Sequence, residues 1–393
     1  MKNYLILGLA IITVLFSCTT DDTSDIVIND NSVVNNDNGG GSGPDDCIFL
    51  SGTYIEDLTL DANNCYKLNG SLIMTAGTTL TIPAGITIEA LAAGANVYIA
   101  IAQGARIVAN GTADNPIVLT SDASAPSAGD WGGIIVLGNA PINSVTGSST
   151  STSEIASLPF GGTNSADNSG IIRYVRVEYS GGAADGQSEN NGFSFYGVGN
   201  GTTVEYIQAY EGKDDGIEFF GGTVNASYVS VVNAQDDSID WTEGYTGTIT
   251  NVYVKHGANH DKGFECDGYN TDFSNAAGFF SKPTVSNVTI IGLGSGTGNE
   301  AIRLRAGTQG VFNNILIEGF EEGFDLDGDS GNNPTGAGVL SNDLSVIDVT
   351  FTDVTLKMKN DTAETFTEAD FISGDGNGTG TDYATWGATW TVE

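Results

Sequence analysis

Three short acidic segments between Gly212 and Asp267 contain the residues of this chain that are best suited to chemistry. Each has acidic residues in a turn, followed by an apolar–acidic–apolar alternation. They are Asp214-Asp215-Gly216-Ile217-Glu218-Phe219, Asp236-Asp237-Ser238-Ile239-Asp240-Trp241 and Asp261-Lys262-Gly263-Phe264-Glu265-Cys266. Ile217, Ile239 and Phe264 occupy equivalent positions, 22 and then 25 residues apart. The alternation predicts a half-buried strand, and its recurrence predicts a solenoid with one such strand per coil.

Stacked coils would align the middle carboxylates of these segments into an outward-facing file. Glu218, Asp240 and Glu265 would then lie about 4.8 Å apart, the distance between neighbouring strands. Carboxylates at that separation repel each other by about 1 kcal/mol in water and by several times more in a screened groove. A divalent cation would relieve the repulsion, and Ca²⁺ prefers oxygen ligands. The candidate cation ligands are Asp214, Asp215, Glu218, Asp236, Asp237, Asp240, Asp261 and Glu265.

A second interpretation of the same residues needs no ligand. Asp, Asn and Gly supply the left-handed turn geometry that any β-solenoid needs at its corners. Acidic side chains can also extend into water and keep an exported protein soluble. Trp241 falls on the inward side of the alternation, so we expect it in the core rather than on a sugar-binding surface.

Enzymatic function is the main alternative to binding. β-Helix glycosidases of the polygalacturonase type use several Asp residues with a His and a basic strand residue. The candidate catalytic residues here are Asp236, Asp237, His256 and Arg303. Paired carboxylates suit glycoside hydrolysis, whereas a lyase needs a base with a positive charge or Ca²⁺. Lys255-His256-Gly257 matches the Gly-His-Gly motif of that type poorly, so the sequence favours binding. We expect His256 and His260 to be exposed loop residues, and a pair between Arg303 and Glu265 is the structural alternative for that arginine.

Short strand-like runs separated by Gly-, Asn- and Asp-rich turns continue on both sides of the acidic segments. Examples are Thr79-Leu80-Thr81-Ile82, Ala105-Arg106-Ile107-Val108 and Pro116-Ile117-Val118-Leu119. Three short faces per coil, each with alternate aliphatics inward, predict an all-β fold, a right-handed parallel β-helix. We place it over residues 47–345, with insertions at 143–168 and 269–282 and a C-terminal capping region over 346–393. The tail from Tyr383 to Trp390 is expected to cover the open edge of the last coil.

Several of these segments resemble those of a known family. They include Thr79-Leu80-Thr81-Ile82-Pro83-Ala84-Gly85, Gly111-Thr112-Ala113-Asp114-Asn115-Pro116-Ile117 and Gly129-Asp130-Trp131-Gly132-Gly133-Ile134. The family consists of exported Bacteroidota proteins that are similar in fold to the pectate-lyase-like β-helix superfamily. The resemblance covers most of residues 66–330. It implies the β-helix architecture and carries no catalytic set.

The N-terminus is typical of an exported lipoprotein. An apolar run from Tyr4 to Phe16 follows Lys2, and a helix of that length reaches only about 20 Å, which is too short to span a bilayer. The run ends in Leu15-Phe16-Ser17-Cys18, which resembles a bacterial lipobox. We therefore predict a signal peptide over 1–17 and lipid modification at Cys18, with an ordinary secretory signal as the alternative. An acidic tether rich in Gly, Asn and Asp follows over 18–46.

Charge and cysteine usage limit the partners and the compartment. The chain has 13 basic and 49 acidic residues, for a net charge of −36. This balance disfavours nucleic acid and anionic membrane surfaces, so any membrane contact is expected through the lipid anchor alone. Cys47 and Cys65 are expected to form a disulfide, as exported proteins allow. The acidic cluster at Asp21-Asp22 resembles a surface-export signal, which predicts an outer-membrane protein facing the exterior.

Together these features predict a non-enzymatic surface module. Its expected partners are an extracellular polysaccharide or a surface protein, and its one expected cofactor is Ca²⁺. Two alternatives remain open at this point. One is a polysaccharide lyase or glycoside hydrolase of the β-helix type, and the other is a purely structural envelope protein.

Overall fold

The structure is a computed structural model that describes residues 47–143, 149–183, 189–272, 274–328 and 333–393. The predicted signal peptide, Cys18 and the tether lie outside the described residues. Within the described ranges, no helix is long and apolar enough to cross a membrane.

Parallel strands form nearly all of the fold. Strands β1 to β9 are Ile48–Tyr54, Leu58–Thr59, Tyr66–Met74, Thr79–Ile82, Thr87–Ala90, Gly94–Ile101, Arg106–Asn110, Ile117–Ser121 and Trp131–Leu137. Strands β10 to β19 are Ser151–Thr152, Pro159–Phe160, Gly170–Glu178, Phe193–Tyr196, Thr203–Tyr210, Ile217–Phe220, Asn225–Val232, Ile239–Thr242, Thr248–Lys255 and Phe264–Asp267. Strands β20 to β24 are Thr284–Ile291, Glu300–Arg305, Gly310–Gly328, Leu344–Thr362 and Ile372–Asp375. Three short helices, α1 to α3, are Thr335–Leu340, Glu368–Phe371 and Tyr383–Trp386.

The strands wind into a parallel β-helix, which confirms the predicted fold class. Twenty-two of them join in one hydrogen-bonded sheet, and β10 and β11 form a separate antiparallel pair. Short strands such as β15, β17 and β19 pair with each other on one face. Longer strands such as β14, β16 and β18 form the rest of each coil.

From β12 onward, each longer strand has a residue with left-handed backbone at an equivalent position. These residues lie opposite one another in successive coils: Tyr174, Tyr206, Tyr228, Asn251, Asn287, Asn314 and Asp348, with φ between 48° and 60°. A side chain at such a corner points away from the core, so the corners form a column along the solenoid. The asparagines of this column bond to each other, because Asn314 Nδ2 donates to Asn287 Oδ1 at 2.8 Å.

Apolar rows that run along the solenoid axis form the core. One row consists of Phe193, Ile217, Ile239, Phe264, Ile302 and Phe324, all of them buried and paired in register. The next inward row includes Trp241, which is fully buried, as the alternation predicted. Burial of each large side chain stabilises the fold by about 2–3 kcal/mol. Because these rows flank the acidic position of every short strand, the carboxylates between them must face outward.

The coils continue beyond residue 345, the predicted end of the β-helix. Strand β23 pairs in parallel with β22 from Leu344 to Thr362, and β24 pairs in turn with β23. Leu344, Val346 and Val349 of β23 are buried, whereas from Thr350 to Thr362 the strand has no buried residue. The parallel pairing therefore extends through the region that we assigned to the cap, beyond the buried part of the strand.

The C-terminal tail lies along the side of the solenoid, where we expected it to cover the last coil. Three tail rings contact rings of different coils: Tyr383 stacks on Tyr253 of β18, Trp386 packs against Tyr228 of β16 and Trp390 packs against Tyr174 of β12. The expected position was therefore wrong. The outward tyrosines of the corner column offer an apolar surface along the flank, and the aromatic tail covers part of it.

The two insertions and the first coil are fixed by specific contacts. Asn143 Nδ2, at the start of the first insertion, donates to the carbonyls of Gly268 and Phe279 beside the second insertion, at 2.8 and 2.7 Å. This links the two insertions on the face of the short strands. At the N-terminal end, Cys47 and Cys65 are joined by a disulfide.

Candidate functional site

The acidic file exists in register. Glu218 on β15 lies opposite Asp240 on β17, which lies opposite Glu265 on β19. Ser194 precedes the file and Arg303 follows it in the same row. The sequence spacing therefore gave the correct register of every carboxylate in the file.

The file faces outward, as predicted, and lines a concave cleft. The cleft has a volume of about 450 Å³ and is lined by ten acidic and three basic side chains. Its acidic residues are Glu154, Glu189, Asp214, Asp215, Glu218, Asp236, Asp237, Asp240, Asp261 and Glu265. All eight predicted cation ligands are among them. When all are ionised, the lining has an excess of seven negative charges.

Several of the carboxylates are buried. Asp215, Asp237 and Glu265 are 7%, 4% and 8% exposed. The interpretation that needs no ligand assumed that acidic side chains extend into water, and this does not hold for these three. Burial of an ionised carboxylate is unfavourable unless it is paired or bound to a cation.

The turn aspartates have a structural role that repeats from coil to coil. Asp215 Oδ1 accepts a hydrogen bond from the backbone N–H of Asp237 at 3.0 Å. Asp237 Oδ1 in turn accepts one from the backbone N–H of Lys262 at 2.7 Å. Each carboxylate thus fixes the turn of the next coil, and this hydrogen bond accounts for one of its two oxygens.

Asp240 carries an oxygen that these contacts do not explain. Its Oδ1 is buried and has no hydrogen-bond partner among the described residues. Asp240 also belongs to two groups of carboxylates whose nearest oxygens lie within 4.8 Å of one another. One group adds Asp215 and Glu218, and the other adds Asp237 and Glu265. A buried acceptor without a donor is destabilising by about 1–3 kcal/mol, and more when it is charged.

The basic side chains gather at one end of the cleft. Lys262 Nζ lies 2.5 Å from Asp261 Oδ2 and 3.2 Å from Glu265 Oε1. Arg305 forms ion pairs with Glu265 and with Asp267. Glu265 is therefore neutralised from two sides, while the hydrogen bond that Glu218 accepts within the described part of the chain comes from the neutral amide of Asn191, at 2.7 Å.

Arg303 does not form the ion pair proposed for it. Its Nη2 lies 2.8 Å from Asp327 Oδ2, and Arg305 takes the place beside Glu265. Both arginines lie on the outward side of β21, two residues apart. Arg305 pairs in register with Asp267, and from there its guanidinium reaches Glu265 as well.

Burial and mutual repulsion make the carboxylates hard to ionise. Burial, with Asp240 as the strongest charged neighbour, raises the pKa of Glu218 well above its usual value. Burial, followed by Glu265, does the same for Asp240. Burial and Glu189 raise the pKa of Asp214 to about 8. The cleft therefore holds protons at neutral pH unless another positive charge enters it.

The four candidate catalytic residues are only partly brought together. Asp236, Asp237 and Arg303 line the cleft. His256 is not part of its lining, and it is 4% exposed where we expected an exposed loop residue. Its ring lies 4.3 Å from the ring of His260 and 5.3 Å from that of Phe320. Burial and His260 lower the pKa of His256 to about 3, so it remains neutral under ordinary conditions.

Some residues of the cleft were not predicted as part of the site. Glu154 and Glu189 come from outside the repeated segments, and Lys262 lies in the turn of the third segment. Arg305 follows Arg303 in the alternation Ile302-Arg303-Leu304-Arg305, which puts this basic pair near the acidic file but gives Arg305 no specific role. The alternation signals an outward position for Arg305 but gives no signal for Glu154 or Glu189, because both lie in segments that have no period.

Comparison with known proteins agrees with this architecture. A family model described as a pectate-lyase-like β-helix domain matches residues 52–391. The match includes the coils, both insertions and the aromatic tail. Among curated proteins, none matches the sequence.

Proposed function

The chain belongs to the pectate-lyase-like β-helix family, and on this premise we propose that it is a non-enzymatic binding module whose acidic cleft holds Ca²⁺. The observation that carries the proposal is the buried Oδ1 of Asp240, which has no partner among the described residues and lies between two groups of carboxylates. A cation there would supply the missing contact and offset the repulsion within the file.

The geometry favours Ca²⁺ over smaller ions. Oxygens that share one Ca²⁺ lie about 2.4 Å from it, so two of them are at most about 4.8 Å apart. The oxygens of Asp215, Glu218 and Asp240 meet that limit. Mg²⁺ needs a near-octahedral set at about 2.1 Å and keeps several waters, which carboxylates fixed on separate strands suit less well.

The distribution of charges favours the Glu218 end of the cleft as the site of the proposed ion. Lys262 and Arg305 already neutralise Glu265 at the other end. No described basic side chain forms an ion pair with Glu218 or Asp240. The Asp215–Glu218–Asp240 group is therefore the primary site of the proposal.

Calorimetry on the full-length protein tests this function. After treatment with EDTA, the wild type should bind Ca²⁺ with measurable heat and bind Mg²⁺ more weakly. Asp240→Asn should reduce the Ca²⁺ affinity at least about tenfold, because it removes a charged ligand of nearly the same shape. Asp114→Asn is the matched control, since Asp114 is exposed and does not line the cleft. The absence of any Ca²⁺ binding by the wild type would overturn the proposal.

A lyase or hydrolase is the second candidate, favoured by the basic side chains that share the cleft with the carboxylates. Against it, Lys262 and Arg305 are engaged in ion pairs and His256 does not line the cleft. Incubation with uronate-rich and neutral polysaccharides, with and without Ca²⁺, separates the two functions. New reducing ends or unsaturated products that disappear in Asp237→Ala would establish the enzyme instead.

We also propose that the module is displayed on the outer membrane through a lipid at Cys18. The proposal rests on the apolar run, the lipobox-like end and the acidic tether of the sequence. If neither Ca²⁺ nor any glycan binds to the purified protein, a purely structural envelope role becomes the better account.

A further inference from the structure

A second cavity lies on a different face of the solenoid, between the corner column and the C-terminal tail. It has a volume of about 600 Å³. Its floor is formed by Tyr174, Tyr206 and Tyr228, and its opposite wall includes Trp386. None of its lining residues lines the acidic cleft. We call this cavity the tyrosine groove.

The floor is built from strained backbone. Tyr174, Tyr206 and Tyr228 have φ of 48°, 53° and 58°. Left-handed backbone is disfavoured for a bulky residue and better tolerated by asparagine. Asn251 and its successors occupy the same position in the following coils and bond to one another there. Three consecutive tyrosines at a position suited to asparagine suggest that the rings serve a purpose beyond the turn.

The three rings form one continuous stack. The ring centroids of Tyr174 and Tyr206 lie 4.3 Å apart, and those of Tyr206 and Tyr228 lie 4.2 Å apart. All three side chains remain partly exposed. Since the ring faces cover each other, the edges and the hydroxyl groups are what the stack presents to the groove.

The tail fixes the other wall, so the groove is preformed. Trp390 is fully buried, and its carbonyl accepts a hydrogen bond from Arg176 Nη1 at 2.6 Å. The buried side chain of Gln208 bonds both the N–H and the carbonyl of Val392, at 2.9 and 2.8 Å. Trp386 Nε1 donates to Thr381 Oγ1 at 2.9 Å, which fixes the orientation of its ring. A wall fixed in this way reduces the entropy lost on binding a ligand.

We propose that the tyrosine groove binds a neutral oligosaccharide. Sugars present hydroxyl groups and apolar C–H surfaces together, and the groove offers matching chemistry. Its hydroxyl and amide groups, from the tyrosines, Asn251, Thr385 and Thr389, can donate and accept hydrogen bonds. The indole of Trp386 offers an apolar wall, and a volume of this size suits a small ligand.

The charge of the groove selects against anionic sugars. Asp382 is the one charged residue in its lining, and it is acidic. The net charge of −36 adds a repulsive field for uronate polymers. Burial and the adjacent tyrosines raise the pKa of Tyr206 to about 12, so its hydroxyl keeps the proton it would donate.

Titration of the full-length protein with neutral hexasaccharides tests this proposal. The probes are cellohexaose, mannohexaose and xylohexaose, with hexagalacturonate as the anionic comparison, each followed by calorimetry and tryptophan fluorescence. Of the four tryptophans, Trp386 alone is not fully buried, so its emission should report binding. At least one neutral probe should bind, with or without EDTA, since the groove is separate from the acidic cleft.

Matched variants localise the binding. Tyr206→Phe keeps the ring stack and removes one hydroxyl, so the affinity should fall about 3- to 10-fold. Trp386→Ala removes the apolar wall and should weaken binding at least about tenfold. Tyr210→Phe is the control, because Tyr210 lies on the same strand, β14, outside the groove. An unchanged melting temperature of Tyr206→Phe shows that the fold is intact.

Three results would overturn the assignment. One is the absence of binding by every neutral probe up to about 10 mM. Another is binding that neither Tyr206→Phe nor Trp386→Ala weakens. The third is tighter binding of hexagalacturonate that is lost in Trp386→Ala, which would place an anionic ligand in the groove.

Discussion

Replacement of Asp240 by Asn should have opposite consequences for stability in the absence and in the presence of Ca²⁺. Asp240 lies in register between Glu218 and Glu265, and its Oδ1 has no partner among the described residues. Two unit charges about 4.8 Å apart repel by about 1 kcal/mol in water and about 3.5 kcal/mol at an effective dielectric constant of about 20. Asn removes that repulsion and adds an N–H that can donate to a neighbouring carboxylate.

Two effects reduce the repulsion that Asp240 experiences in the wild type, and they limit the stabilisation expected of Asp240→Asn. Arg305 attracts Asp240, and burial with the neighbouring carboxylates raises the pKa of Asp240, which disfavours its charged form. We therefore expect Asp240→Asn to be more stable than the wild type by about 1–3 kcal/mol in EDTA. With Ca²⁺ at about 100 times its dissociation constant, the wild type gains about 2.7 kcal/mol and the variant gains much less.

The assay is thermal unfolding of the full-length wild type, Asp240→Asn and the control Asp114→Asn, each in EDTA and in excess Ca²⁺. The variant should melt above the wild type in EDTA and lose that advantage in Ca²⁺, while the control follows the wild type in both. If Asp240→Asn melts below the wild type in EDTA and responds equally to Ca²⁺, the argument from repulsion is refuted.

Three further predictions concern pH, the tail and the anchor. In the cation-free fold the pKa of Asp214 is raised to about 8. Between the ordinary pKa of an aspartate and about 8, the folded protein therefore holds a proton that the unfolded chain has released. The stability that this proton contributes is lost as pH rises toward and through about 8. Ca²⁺ binding should therefore release protons, and the Ca²⁺ affinity should increase from pH 6 to pH 8. Calorimetry in two buffers of different ionisation enthalpy measures the number of protons released. A pH-independent affinity without proton release would contradict this prediction. Trp390→Ala should destabilise the fold by about 3–5 kcal/mol, because Trp390 is fully buried. It should also expose the tail to protease, which limited proteolysis with mass spectrometry would show. An uncleaved tail would mean that Trp390 does not hold the tail in place. Protease treatment of intact cells should remove the protein, and a Cys18→Ser variant should leave the membrane fraction; protection from protease would exclude surface display.

The repeating part of the fold could be predicted from the sequence, because in a solenoid the spacing of the repeats determines which residues of neighbouring strands lie opposite each other. The spacing of Ile217, Ile239 and Phe264 placed their neighbouring carboxylates in one row, and the structure has the same pairs. The inward position of Trp241 followed from the same alternation. Each of these predictions depends only on which side of a strand a residue faces.

The rest could not be predicted, because it depends on segments without a period. Whether the acidic file is open or enclosed depends on residues such as Glu154 and Glu189, which come from outside the repeated segments. The burial of His256 depends on Phe320, which lies two coils further along the chain. The course of the tail depends on contacts such as that between Trp390 and Tyr174, more than two hundred residues apart in sequence. Alternation specifies none of these contacts.

The most direct test of the central claim is a diffraction structure of the protein crystallised with Ca²⁺, with anomalous data collected to identify the ion. We predict an ion between Glu218 and Asp240, bound by about six to eight oxygens at about 2.4 Å and with Asp240 Oδ1 among its ligands. A cleft in which Asp240 Oδ1 bonds to water or to a basic side chain, with no ion nearby at saturating Ca²⁺, would contradict it.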